Sequence, residues 1–120
     1  MYALGVPLRQ QPLTIGVVLL SAFAYPILEE LVFRGAVQSA LLSRGQLYRS
    51  FAGVTVACLI TSLLFAAAHL VRHPPLWAAL IFVPSLVFGW ARDRHQSLYS
   101  PIALHITYNA GFIALFYSSQ

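Results

Sequence analysis

The chain has 120 residues, of which 59% are hydrophobic and only 8% charged. A soluble domain carries about 25% charged residues, so this chain lacks the polar surface to face water on every side. Its formal charge of +4 rests on seven arginines scattered at the ends of apolar runs, a distribution that suits membrane topology and argues against a nucleic-acid partner.

Length supports one compact unit, with residues 1–12 as an N-terminal segment and 13–118 as the core. Four apolar stretches predict an all-α, polytopic membrane bundle of about four transmembrane helices. The first begins near Leu13, runs through Leu28 and continues as helix past Glu29 and Glu30 to about Leu42. The second covers Phe51 to Leu70, and Pro74-Pro75 then breaks the chain. The third runs from Leu76 to Trp90 with Pro84 inside it, and a polar turn is expected from Ala91 to Ser97. The fourth starts near Leu98, carries Pro101 in its first turn and ends around Tyr117. A bilayer core takes roughly 20 apolar residues per helix, which the first, second and fourth stretches supply. The third is short enough to be tilted, kinked or partly buried in the bundle. Cys58 lies alone in an apolar run, forms no internal disulfide and is read as packing.

Two readings of the ends follow. A signal-peptide reading, with Arg9 as the basic region and Ala22-Phe23-Ala24 as the cleavage site, is the lesser one, because three further apolar stretches need a membrane anyway. Arg44, Arg49, Arg92 and Arg94 outnumber Arg9 and Arg72 on the opposite side, so the richer side is expected to be cytoplasmic and both termini outside.

Charged groups inside an apolar helix cost about 2.5–3.5 kcal/mol each on insertion scales and are therefore usually functional. Glu29 and Glu30 follow seven residues with no charge among them. Glu30 and Arg34 are four apart with the acid first, the favourable order for a same-face ion pair. Glu29 has no such partner on its own helix, which suits a general base for water; the plainer reading ends a span at the water interface. His69 ends the run Leu63 to Ala68, with Phe65 one turn earlier on the same face. His105 and Asn109 are also four apart, with Tyr108 between them adding a hydroxyl. Such a pair can donate hydrogen bonds to a developing oxyanion, or can serve only as an interhelical packing pair. His73 immediately precedes the Pro-Pro break and is expected outside the helix. No H-E-x-x-H motif is present, so a zincin site is excluded; Glu29, His69 and His105 with one open position form the alternative zinc set. Metal-free water activation, with no cofactor, is the preferred expectation. His69 near the far end of the second helix and His105 early in the fourth would differ in depth by about ten ångströms or more. A shared site then needs tilt, a deep aqueous cavity or different helix ends.

Glu29-Glu30-Leu31-Val32-Phe33-Arg34-Gly35 resembles the EExxFRG signature of the CPBP family, the CAAX-protease and bacteriocin-processing (Abi) intramembrane peptidases. Phe65 to His69 resembles its FxxxH motif, Phe88 to Leu98 its third block, and His105 to Asn109 its HxxxN motif, all in family order. The resemblance implies a helical-bundle protease with its site inside the membrane. By position, Glu29 and His69 would activate the water, Glu30 and Arg34 would shape and charge-balance the site, and His105 and Asn109 would form the oxyanion pocket. It implies a multi-pass protein of the bacterial inner membrane whose partners are the lipid bilayer and a protein or peptide with a membrane-proximal tail. The stretch from Phe65 to His105 also resembles the subgroup linked to C-terminal sorting tails of the JDVT type. Larger members have extra helices around this core. Two other functions were weighed: a non-catalytic immunity or scaffold protein, which has no reason to keep intramembrane charge, and a small transporter, which should show internal repeats.

Overall fold

The computed structural model describes residues 12–119, together with the backbone of two paired strands, β1 (Tyr2–Ala3) and β2 (Val6–Pro7). Arg9, used for the topology reading, lies outside the described residues. Four helices follow: α1 (Ile15–Leu42), α2 (Val56–His69), α3 (Pro75–His95) and α4 (Tyr99–Ser118). Between α1 and α2 a hairpin pairs β3 (Ser50–Phe51) with β4 (Val54–Thr55). Its two turn residues, Ala52 and Gly53, both take positive φ, as a two-residue hairpin turn requires.

The caps explain where the helices begin. Thr14 Oγ1 accepts the Val17 N–H at the start of α1, and Thr55 Oγ1 accepts the Cys58 N–H at the start of α2. Pro75 opens α3, where its missing N–H costs nothing. Gln96, in the left-handed region, closes that helix.

Burial is inverted relative to a soluble domain. Glu30, Arg34, Gln38, Thr61, Ser62 and Ser85 are fully buried, whereas Ile15, Leu28, Leu63, Leu76, Val83 and Leu115 are exposed. Alanine makes up much of the buried apolar set, at positions 22, 57, 66, 78 and 91, which lets the helices approach closely. A polar interior inside an apolar exterior is the arrangement lipid selects, and the chain is a helical membrane protein.

Three expectations about boundaries change. Of the four helices, α1 and α3 are long and apolar enough to cross a membrane, so the third stretch rather than the second and fourth joins the first. The second stretch gives only 14 helical residues because Ser50 to Thr55 is spent on the hairpin. In the fourth, the polar face carrying His105 and Asn109 dilutes the apolar character of a 20-residue helix. The polar turn expected from Ala91 is helical through His95, because Arg92 and Asp93 turn inward and find partners there. The Ala22-Phe23-Ala24 segment of the signal-peptide reading lies inside α1, with Ala22 fully buried against the bundle.

α1 is not a uniform α-helix. Leu19–Ala24 and Leu31–Gln38 are wound as π-helix, on either side of the α-helical turns Tyr25–Glu30. Its buried residues Pro26, Glu30, Arg34 and Gln38 recur every four positions. In a pure α-helix such a stripe would drift by about 40° per step. Wider turns counter that drift and keep the stripe facing α3 and α4. Such wide turns often accompany functional sites.

Candidate active site

Two polar assemblies share the interior. The first is sealed. Arg34 Nη1 donates to Glu30 Oε1 at 3.1 Å, and its Nη2 donates to both the Ser85 carbonyl and Ser85 Oγ at 2.6 Å. The guanidinium lies over the Phe65 ring at 4.8 Å and the Phe88 ring at 5.7 Å. One turn on, Gln38 Nε2 donates to the Gly89 carbonyl and to Asp93 Oδ1. Asp93 Oδ2 accepts from Thr55 Oγ1 at 2.7 Å, and Arg92 reaches Ser39 Oγ at 2.7 Å. Gly89 is required here: a Cβ on it would stand 2.5 Å from Cys58 Sγ and 3.0 Å from Gln38 Oε1. Cys58 is therefore packing, as expected.

The second assembly opens into a cavity of about 380 Å³. Glu29, His69, His105, Tyr108 and Asn109 all line it, so the structure brings together the residues singled out from three separate blocks of sequence. His105 joins the two assemblies. Its Nδ1 is 2.8 Å from Glu30 Oε1 and its Nε2 is 3.6 Å from Glu29 Oε2. The adjacent glutamates thus differ in kind: the Glu30 side chain is fully buried, whereas that of Glu29 is 34% exposed toward the cavity. Phe88 stacks on the His105 ring at 4.6 Å, and Phe65 meets the same ring edge-on at 5.8 Å.

His69 sits at the last turn of α2, its ring 4.6 Å from Phe65, the one-turn neighbour expected from sequence. Its Nδ1 lies 2.8 Å from the Phe65 carbonyl, which can only accept. The proton is therefore on Nδ1, and Nε2 carries a lone pair in the neutral ring. The depth difference expected between His69 and His105 is bridged by the cavity, which both side chains line, and it is narrowed by the shortness of α2, which rises only about 21 Å. Asn109 Nδ2 donates to the Ser21 carbonyl at 2.9 Å and keeps a second amide hydrogen.

His73 lies beyond α2, as expected. Its imidazole stacks on that of His69 at 5.8 Å, and Trp77 and Phe112 continue the aromatic wall toward the cavity mouth. Burial pushes its pKa down to about 4, with the nearby His69 and Arg72 adding to the effect, so it is neutral at physiological pH. Arg72 also lines the mouth; it is exposed and has no carboxylate partner among the described residues.

Sequence reasoning missed Ser21, Ser85, Phe88 and Gln38 as site-building residues, and used Arg72 only for topology. Phe88 lay in a block noted for resemblance; the others carry no local signal. Among the described residues, no group of three or more His, Cys, Asp or Glu side chains is arranged to hold a metal ion.

Neither the curated proteins nor the solved structures contain a match to the chain. A family model described as Rce1-like, type II CAAX prenyl endopeptidase, matches residues 11–111, and the chain belongs to that protease family.

Proposed function

We propose that the protein is an intramembrane endopeptidase that hydrolyses a peptide bond in the C-terminal or juxtamembrane tail of a membrane-associated protein. The observation that carries this reading is the His105 ring held between Glu30 and Glu29, with Glu29 facing the same cavity as His69. Glu29 and His69 Nε2 together accept hydrogen bonds from a water and aim it at the substrate carbonyl. Glu29 takes the proton as the new C–O bond forms. The carbonyl oxygen becomes an oxyanion, received by His105 Nε2–H and the second amide hydrogen of Asn109. When the tetrahedral intermediate collapses, the C–N bond breaks and the proton held by Glu29 passes to the departing amine.

Donation from both Nε2–H and Nδ1–H, the latter to Glu30 Oε1, requires the imidazolium form of His105. Glu30 and Arg34 then act by holding His105 and neutralising its surroundings. The reading uses no metal.

Arg72 at the cavity mouth favours a tail that ends near the scissile bond, since its guanidinium can pair with a free carboxylate. Prenylated CAAX tails, JDVT-type sorting tails and peptide leaders are the candidate substrates, and a bacterial inner membrane is the proposed location.

The test is cleavage of membrane-tethered tail peptides by the reconstituted protein, comparing wild type with Glu29→Ala and His69→Ala, with and without a chelator. Cleavage lost in both variants and kept in chelator is expected. Loss in chelator would move the water activation to a metal, and equal cleavage by all three proteins would refute the assignment.

A further inference from the structure

We infer that Asn109 substitutes for a backbone N–H that Pro26 lacks, and so acts as a positioning residue for the site in addition to lining it. This rests on the hydrolytic reading above only for its effect on turnover. In the π-wound segment Leu19–Ala24 of α1, the N–H groups reach the carbonyl five residues back; the last of the series is Tyr25 N–H to the Leu20 carbonyl. The next bond would run from residue 26 to the Ser21 carbonyl. Residue 26 is proline, which has no hydrogen to give. Ser21 and Pro26 are both buried, so an unmet carbonyl there would be costly in an apolar bundle. The Asn109 amide meets it, at 2.9 Å across the α1–α4 interface.

The consequence is geometric. Asn109 lies one turn after His105 on α4, and Ser21 lies eight positions before Glu29 on α1. α4 is thereby tied to α1 at two levels, by Asn109 to Ser21 and by His105 to Glu30. Two ties fix both the position and the tilt of His105 against Glu29; one tie fixes only the first.

The experiment is a two-site rescue with the reconstituted full chain. Asn109→Leu is expected to lower the unfolding temperature and to reduce kcat by about 10³-fold, the upper end for a lost oxyanion donor. Adding Pro26→Ala returns a backbone N–H beside the Ser21 carbonyl. The double variant should regain at least half of the lost unfolding temperature and about tenfold in kcat, with KM unchanged. Pro26→Ala alone should lie within about twofold of wild type, a difference too small to mark a lost oxyanion donor. A double variant no more stable than Asn109→Leu overturns the inference, and so does recovered stability without recovered kcat. If Asn109→Leu does not fold, Asn109→Ser with and without Pro26→Ala supports the same comparison. Unfolding is read without substrate, so failure of the hydrolytic reading shows separately, as wild-type protein that cleaves none of the tails.

Discussion

The sealed seam around Arg34 and the open cavity around Glu29 contain the same kinds of group, carboxylates and cations within apolar helices, yet they are finished differently. In the seam, each charged group meets a partner from another helix: Glu30 meets Arg34 and His105, Arg34 meets Ser85, and Asp93 meets Gln38 and Thr55. In the cavity, Glu29 meets His105 only at 3.6 Å and keeps a third of its side chain open. A buried charge tied to partners on other helices holds structure. One left short of partners is available to a substrate or a water. The two neighbouring glutamates show that this difference needs no change of residue type, only a step of one position around the helix.

Breaking the seam should therefore cost stability, while altering the cavity should cost activity. The largest effect is expected for Arg34→Met. Removing one partner of a buried pair strands the other, at about 3–5 kcal/mol, measurable by chemical unfolding in detergent. Glu29→Gln, as the contrasting variant, should leave that unfolding curve in place. If Arg34→Met unfolds like wild type, the seam is not what holds the bundle. A smaller loss, about 1–3 kcal/mol, is expected for Gly89→Ala, because the new methyl must displace Cys58 Sγ. Pairing it with Cys58→Ala should restore much of that loss, and failure to do so would place the strain elsewhere. The smallest effect is expected at the mouth. Arg72→Gln should raise KM for a tail with a free carboxylate by about tenfold, near 1.4 kcal/mol, and leave an amidated tail unaffected. Equal KM changes for both tails would remove Arg72 from substrate recognition.

Much of the polar interior was legible in the sequence because its members are spaced one helical turn apart: Phe65 with His69 and His105 with Asn109 along the cavity, Glu30 with Arg34 in the seam. The resemblance carried by those blocks agrees with the family match over residues 11–111. What the sequence hid was long-range or register-dependent. Ser85 and Phe88 meet their partners only through the packing of α3, and nothing near them in the chain announces it. The π-wound turns of α1 have no compositional signature, since residues that favour α-helix also tolerate the wider turn. The end of α3 was misread because Arg92 and Asp93 look like a polar loop, whereas inward partners keep them helical. The shortness of α2 was hidden because Phe51 and Val54, apolar in sequence, belong to a hairpin.

That short helix also bears on the lipid around it. A rise of about 21 Å falls short of a hydrocarbon core roughly 30 Å thick. Acyl chains lying beside α2 would have to shorten or splay, a mismatch that thinning of the bilayer on that flank would relieve. With the bilayer thinned there, His69 at the end of α2 would lie closer to the headgroups. Solvent would then reach it through a dimple in the membrane surface, and a tail would need to descend only a short way to meet it. The protein would accordingly favour thin membranes, and lengthening the acyl chains of the host bilayer would tilt α2 or starve its end of water.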